Sequence, residues 1–327
     1  MQSQSEIWNI NSSQLLEKSA LEAFKIQAET EVYGKFIKAL GINSGEIQSI
    51  NQILFLPVRF FKNQTICNLN LPIAKVFESS TTSSGTPSKH FVNDLKIYEE
   101  SYLRAFKQFY GNPEDYIFIA LLPSYLERGT SSLLYMMDDL IKKSNHSLSG
   151  YYLDEIENLS GRINEASKDR KVFLWGVTYA LLDFAETNKA KFNNLIVLET
   201  GGMKGRRAEL TREELHTRLC DSFGVNKINS EYGMTELLSQ AYSQGDGLFK
   251  SPPWMKIIIT ELNDPFKICA KGISGRINVI DLANINSCSF LATDDLGKLH
   301  EDGSFEVLGR IDNTETRGCN LMVSDLI

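Results

Sequence analysis

The chain is 327 residues long, 42% hydrophobic and 23% charged, a composition that fits a soluble globular protein with a large buried core. Its net charge of −7, unrelieved by any basic stretch, excludes a non-specific nucleic-acid binder. No apolar run approaches the roughly 20 residues of a membrane helix, so no membrane span is expected.

The start, Met1-Gln2-Ser3-Gln4-Ser5-Glu6, is polar and lacks the basic and apolar parts of a signal peptide. Five scattered cysteines (Cys67, Cys220, Cys269, Cys288 and Cys319) contain no Cys-x-x-Cys pair, and the four histidines are widely separated. Reduced thiols in a cytoplasmic protein are expected, rather than a disulfide framework or a zinc site.

In chain order, apolar residues from Leu16 to Leu40 keep near-helical spacing and predict a helix over 12–40, with Gly41 as its C-cap. A second short helix is expected over 47–54, closed by Pro57. Residues 1–75 thus form an N-terminal helical accessory segment, in which 55–62 reads as packing. Residues 76–89 are more informative: a short apolar strand runs into six consecutive Ser/Thr residues, then Gly85-Thr86-Pro87-Ser88-Lys89. Hydroxyls and backbone N–H groups in such a loop can cradle phosphate, and the lysine adds positive charge. The bland alternative is a Ser-rich linker, which has no need of the Gly-Thr-Pro-x-Lys ending. A P-loop NTPase is disfavoured, because G-x-x-x-x-G-K is missing.

Helices are expected over 94–110, 131–142 and 179–186, and continuous apolar strands over 116–122, 172–177 and 195–199. Strands without alternation, separated by helices, indicate parallel strands buried on both faces, so the fold class is doubly wound α/β. Residues 76–250 are its core. Thr200-Gly201-Gly202-Met203-Lys204-Gly205-Arg206 closes the last of these strands, with glycines that permit a tight turn or a close ligand. Thr211 and Glu214 make a capping box for a helix to Phe223, on which His216 reads as a surface residue.

Residues 225–229 then read as a short strand, followed by Ser230-Glu231-Tyr232-Gly233-Met234-Thr235-Glu236, with Leu237-Leu238 opening a helix. Strand-to-turn junctions of α/β sheets are where nucleotides bind. The Tyr232 ring can stack on a base, Gly233 lets backbone approach, the Thr235 hydroxyl can bond a phosphate, and the Glu236 carboxylate can hold Mg²⁺. Beyond it, short strands over 256–260, 275–280 and 304–308 suggest a small β-rich subdomain, 251–312, followed by a tail, 313–327. Here Asp295 and Arg310 could grip a ribose, or be solvated hairpin charges.

Taken together, the Ser/Thr/Gly loop ending in Pro-x-Lys, Tyr-Gly-x-Thr-Glu, Thr-x-Asp-Leu-Gly and Gly-Arg-x-Asp stand in an order that resembles the adenylate-forming superfamily of acyl-CoA synthetases, peptide-synthetase adenylation domains and luciferases. The resemblance covers residues from about 75 onward. It implies the superfamily's N-terminal-domain fold, with mostly parallel sheets flanked by helices. It also assigns Thr81, Thr82, Ser83, Ser84, Gly85, Thr86 and Lys89 to the ATP triphosphate, Tyr232 and Gly233 to adenine, Thr235 to the α-phosphate, Glu236 to Mg²⁺, and Asp295 and Arg310 to ribose. Gly201 and Gly202 join the nucleotide-binding set. Cofactors are then ATP and Mg²⁺.

The sequence departs from the superfamily in the phosphate loop, which lacks a second glycine before its proline. It also ends at Ile327, so the large mobile C-terminal domain with its catalytic lysine is expected to be absent. Pro123-Ser124-Tyr125-Leu126-Glu127-Arg128-Gly129, Gly201-Gly202-Met203-Lys204 and Arg317-Gly318-Cys319-Asn320-Leu321-Met322 resemble a similarly short branch, the acyl-protein synthetases of the bioluminescence fatty-acid reductase type. That branch implies a long-chain fatty acid activated as acyl-AMP and carried as a thioester on Cys319, for an acyl-accepting reductase or carrier protein. A partly buried structural role for Cys319 stays open. Catalysis would rest on Cys319, Thr235 and Lys89, and the acyl group would lie near Trp175, Tyr179, Met203 and Tyr232. Two further readings stay open: an acyltransferase using preformed acyl thioesters, and a non-catalytic nucleotide-binding subunit of an acyl-processing complex.

Overall fold

Where the spacing predicts one helix over 12–40, the computed structural model, which describes residues 6–80, 86–123, 129–188, 190–201 and 210–311, has two: α1 (Ser13–Gln27) and α2 (Glu31–Ala39). Helix α1 stops because Thr30 turns its hydroxyl back onto the Gln27 carbonyl at 2.7 Å and itself takes extended backbone. Gly34 of α2 packs on this turn; a Cβ there would fall 2.4 Å from the Ala28 carbonyl oxygen. The expected helix over 47–54 is also absent. Isolated 3-10 turns at Ser44–Glu46 and Ile50–Gln52 precede the extended β1 (Leu56–Pro57), because the run from Ile53 to Leu56 is buried on every side chain and offers no polar helix face.

A separate antiparallel hairpin, β2 (Lys75–Glu78) and β3 (Lys89–Val92), flanks the Ser/Thr stretch. The expected alternation follows: α3 (Leu95–Tyr110), β4 (Tyr116–Leu121), α4 (Ser132–Ser144), β5 (Gly150–Tyr151), α5 (Leu159–Ala166), β6 (Lys171–Val177), α6 (Thr178–Thr187), β7 (Leu195–Thr200), α7 (Arg212–Phe223) and β8 (Asn229–Tyr232). Strands β4 and β6 are buried almost end to end, with Phe106 of α3 packed on Phe118 and Phe173 at 5.6 and 5.5 Å between ring centroids. The capping box of α7 forms as expected, the Thr211 hydroxyl accepting from Glu214 N–H while the Glu214 carboxylate accepts from Thr211 N–H.

Two local expectations fail around β8. The strand begins at Asn229, where the expected one ends, because Gly224 caps α7 in the left-handed region (φ 73°) and the next residues serve as lead-in. Nor does Leu237 open a helix. Instead 233–240 is a turn into β9 (Ala241–Ser243), which pairs back onto β8, and the N–H groups of Leu238 and Ser239 within it donate to the Asp281 carboxylate at 2.8 and 3.1 Å. Then come β10 (Phe249–Lys250), β11 (Met255–Thr260), β12 (Ser274–Asp281), β13 (Phe290–Leu299) and β14 (Phe305–Arg310).

These strands join the α/β core in one twelve-stranded sheet, ordered β11-β12-β13-β14-β10-β9-β8-β7-β6-β4-β5, with β1 paired to β13. Pairing is parallel from β8 back to β5 and antiparallel from β8 to β11. The architecture is therefore an α/β fold, a large mixed sheet flanked by helices. Among the described residues, no helix is long and apolar enough to cross a membrane.

Gln27 ties the N-terminal helices to this sheet. Wholly buried, it donates from Nε2 to the carbonyls of Asn284 and Ile285 (3.2 and 3.0 Å) and accepts from Ser289 N–H at 2.8 Å. Gln27→Leu keeps the volume but leaves these groups without partners. Urea unfolding should then show a loss of about 2–4 kcal/mol, given about 1–3 for each buried group left unsatisfied; an unchanged midpoint would show that the groups find other partners.

Candidate active site

The strand β8 ends between a parallel neighbour and an antiparallel one, and its loop carries the Tyr-Gly-Met-Thr-Glu run. Tyr232, buried at the strand end, packs edge-on to Phe249 and Phe305 at 6.1 and 5.6 Å. Its hydroxyl donates to Asp295 Oδ2 at 2.9 Å. Asp295 is the register partner of Arg310, whose Nε lies 3.6 Å from Asp295 Oδ1 and whose side chain is 85% exposed. Burial pushes the Asp295 carboxyl up, against the pull of Tyr232 and Arg310. Three expected site residues thus meet: a fixed ring, a carboxylate with one oxygen spoken for, and a solvent-facing guanidinium.

The second group forms around Glu236, only 6% exposed. Burial raises its carboxyl above the usual range; the Ser88 hydroxyl, its own N–H and the charges of Arg310 and Lys62 offset this only in part. Ser88 follows the Ser/Thr stretch, so the phosphate-loop strand reaches the Tyr-Gly-Met-Thr-Glu loop. Thr235 is half-buried, its carbonyl accepting from His90 Nδ1 at 2.8 Å. Lys89 is exposed and lies 3.6 Å from its hairpin partner Glu78. Thr86 is exposed. Thr81, Thr82, Ser83, Ser84, Gly85, Gly202, Met203 and Cys319 lie outside the described residues.

A Cβ at Gly233 would fall 2.3 Å from Glu231 Oε1, so a larger residue there would displace that side chain. Gly201 turns the chain after β7 at φ 72°, and its carbonyl accepts from Thr178 Oγ1 at 2.7 Å. Trp175 is wholly buried, 5.7 Å from Phe173 and 6.3 Å from Tyr242 between ring centroids, which places it in the aromatic interior. Tyr179, at the start of α6, is buried too.

Sequence reasoning missed a network at the ends of β7 and β8. His216, expected at the surface, is 14% exposed, with Nε2 3.7 Å from Glu199 Oε1 and 3.4 Å from Ser230 Oγ. The correction is a matter of helix phase: α7 turns Arg212 and His216, four residues apart, onto the same strand ends. Arg212 Nη1 donates to Glu199 Oε1 at 2.6 Å and to Ser230 Oγ at 3.1 Å. Burial acts to raise the Glu199 carboxyl, but His216, Arg212 and Ser230 together hold it below the usual value. The one signal available beforehand was a carboxylate closing an otherwise apolar strand.

Glu231 has the opposite fate. Register pairs it with Thr200 on β7 and Tyr242 on β9, so all three share one face of the sheet, while Glu199 and Ser230 share the other. Burial pushes its carboxyl up to about 7; the Thr200 hydroxyl, which donates to Oε2, lowers it, and Glu199 raises it further. Among the described residues, no cluster of three or more His, Cys, Asp or Glu side chains makes a ready metal site.

Solved structures share this fold. The ATP-bound MatB of Rhodopseudomonas palustris superposes with a TM-score of 0.55 at 17% identity, over 73% of this chain and 48% of its own. The O-succinylbenzoate coenzyme A synthetase (MenE) of Bacillus subtilis, in complex with ATP and magnesium ion, gives 0.52 at 19%, over 73% and 50%. The chain spans about half the length of these structures. The chain therefore falls in the fold class of these two structures, over about half the length of each. Within that class, the model of the family described as "Acyl-protein synthetase, LuxE" matches residues 150–327, more than half of the chain, which belongs to that family. The long-chain-fatty-acid–luciferin-component ligase of Vibrio harveyi is 24% identical over 319 residues, 89% of this chain and 82% of that protein.

The folded state holds Glu231 above its unfolded value, so its contribution to stability is complete while the group is protonated in both states. That contribution declines as pH rises from about 4.5 through about 7. Glu231→Gln should flatten this part of the stability–pH profile in urea unfolding; a variant profile parallel to the wild type would refute the assignment.

Proposed function

We propose that this chain activates a carboxylic acid, foremost a long-chain fatty acid, with ATP and Mg²⁺ as its acyl-adenylate, and then passes the acyl group to a thiol, its own Cys319. From there it would go to an acyl-accepting reductase or carrier protein. The observation that carries this reading is the convergence of Tyr232, Asp295 and Arg310 beside Glu236 and Ser88, from stretches far apart in sequence, at the end of β8. Membership of the acyl-protein synthetase family and the ATP and magnesium named for the fold's relatives support it.

In this reading the Tyr232 ring, pinned through its hydroxyl, receives the adenine. Asp295 Oδ1 and Arg310 face the ribose. Glu236 fits a cation site, because a buried carboxylate whose proton affinity is raised gains from a nearby positive charge. One carboxylate is enough for Mg²⁺, which is held largely by substrate phosphates and water; when bound, it neutralises phosphate charge. Lys89 and the 81–86 loop take the remaining phosphates. The exposed Lys89–Glu78 pair is weak enough to be exchanged for a phosphate contact.

A carboxylate oxygen of the acid attacks the α-phosphorus. The new P–O bond forms as the bridging P–O bond breaks, and pyrophosphate leaves with that electron pair. The Cys319 thiolate, its proton given up to water, then attacks the acyl carbon, and AMP leaves as the thioester forms. Positioning and charge neutralisation supply the catalysis, without a strong protein base.

Exchange of labelled pyrophosphate into ATP, run across fatty and aryl acids, tests the first half-reaction. It should depend on a fatty acid and fall by about 10²–10³ in Glu236→Gln, the usual scale for removing one electrostatic stabiliser. Cys319→Ser should separate the halves, retaining exchange but losing the labelled acyl-protein. Folded protein that exchanges with no acid would overturn adenylation and leave transfer from a preformed thioester, or a partner-subunit role.

A further inference from the structure

The turn that carries Thr235 and Glu236 is gripped from several elements. Asp281, buried at the end of β12, accepts from Leu238 and Ser239 N–H and from the Ser239 hydroxyl at 2.6 Å. Asn284 Nδ2 donates to the Glu236 carbonyl at 2.8 Å. The third grip comes from β3: His90, adjacent to Lys89, meets the Thr235 carbonyl through Nδ1 at 2.8 Å.

A carbonyl oxygen can only accept, so Nδ1 carries the proton and Nε2 is a bare acceptor. The ring is wholly buried and stands edge-on to Phe61, with centroids 5.5 Å apart. Burial holds the imidazole down to about 4, so it stays neutral with its single donor committed to Thr235. On the other side of the ring Asn284 approaches closely enough to act on the imidazole, though Nε2 and Asn284 Oδ1 make no hydrogen bond of normal geometry. Both residues line one cavity of about 10 Å³ between β3 and the 283–287 turn.

Given the adenylation reading above, we infer that His90 is a positioning residue for adenylation: through its Nδ1–H bond it sets the Thr235 backbone relative to the phosphate-binding strand that carries Ser88 and Lys89. The bond spans 145 positions of sequence and joins the two segments that the adenylation reading gives to the nucleotide. Its loss should therefore affect ATP more than the acid.

The test uses paired side chains. Asn places an amide nitrogen where His has Nδ1, whereas Gln reaches toward Nε2. In pyrophosphate exchange, His90→Gln should raise KM for ATP and lower kcat by about tenfold, the scale of one lost hydrogen bond, with KM for the acid unchanged. His90→Asn should restore both to within about threefold of wild type. Equal behaviour of the two variants, or an equal rise in KM for the acid, would overturn the inference. Wild-type protein without any exchange would instead overturn the adenylation reading.

Should His90→Gln fail to fold, the nitrogen-15 spectrum of histidine-labelled wild-type protein decides. His90, assigned by its absence in His90→Asn, should be the Nδ1–H tautomer and shift on adding ATP but not fatty acid. An Nε2–H tautomer, or no response to ATP, would overturn it.

Discussion

The turn between β8 and β9 reverses the chain inside a continuous sheet; beyond one internal bond, from Leu237 N–H to the Met234 carbonyl, its buried backbone groups are answered from other elements. An unpaired N–H or C=O at that depth costs about 1–3 kcal/mol, so the turn has one shape only if its partners are rigid. They are: Asp281 on β12, Asn284 just after it, and His90 on β3. Trp254 Nε1 then joins Ser101 and Ser239 at 3.1 and 3.0 Å, tying α3 to the same turn. The geometry of Thr235 and Glu236 is therefore a property of distant strands. Asp281 shows how strong the demand is: burial raises its carboxyl to about 6, yet the donors from Ser239, Leu238 and Ala283 keep it in place.

The carboxylates at the neighbouring strand ends show how one sheet produces opposite electrostatics from like residues. Glu199 and Glu231 both leave adjacent strands near the same level. Alternation sends Glu199 toward α7, where Arg212 and His216 wait, and Glu231 toward α3, where the register partner is Tyr242. One is held ionised and the other tends to keep its proton up to about 7. A single residue of register slip would exchange their faces. The arrangement keeps two like charges from being buried side by side on one face of the sheet.

What was legible beforehand is what short-range chemistry determines. Capping residues marked α7, and runs of apolar residues marked β4, β6 and β7, because a strand covered on both faces needs no partner information to be recognised. The Tyr232, Asp295, Arg310 and Glu236 set was visible only through the order of its motifs. The failures share one cause. Leu237-Leu238 has helical character, but the chain just beyond it is taken up in β9 by pairing with β8, while Asp281, 43 positions away from Leu238, holds the turn between them. Thr30 breaks the first helix through a hydroxyl that spacing does not register. His90 and His216 had no local signal, since each gains its meaning from a partner on another element.

The meeting of Tyr232 with Asp295 also shows what the short strands are for. In the sheet order, β9, β10 and β14 lie between β8 and β13. Laid flat, four spacings of about 4.8 Å would separate those strands by about 19 Å, yet the hydroxyl and carboxylate are hydrogen-bonded at 2.9 Å. The sheet must fold over on itself there. It does so where β9 and β10 are only 3 and 2 residues long, and where β10 meets β14 through the single pair Phe249–Phe305. The rings of Tyr232, Phe249 and Phe305, with centroids 5.4–6.1 Å apart, are packed together at this fold. A register shift beside Gly297 helps β13 and β14 to bend, and a Cβ at that glycine would strike Ile277 Cδ1 at 2.5 Å and the Glu306 carbonyl at 2.6 Å. The curl is thus what brings Tyr232 and Asp295, from the two halves of the chain, into contact. The strands from β11 to β14 therefore belong to the same sheet as the α/β core and close back over it.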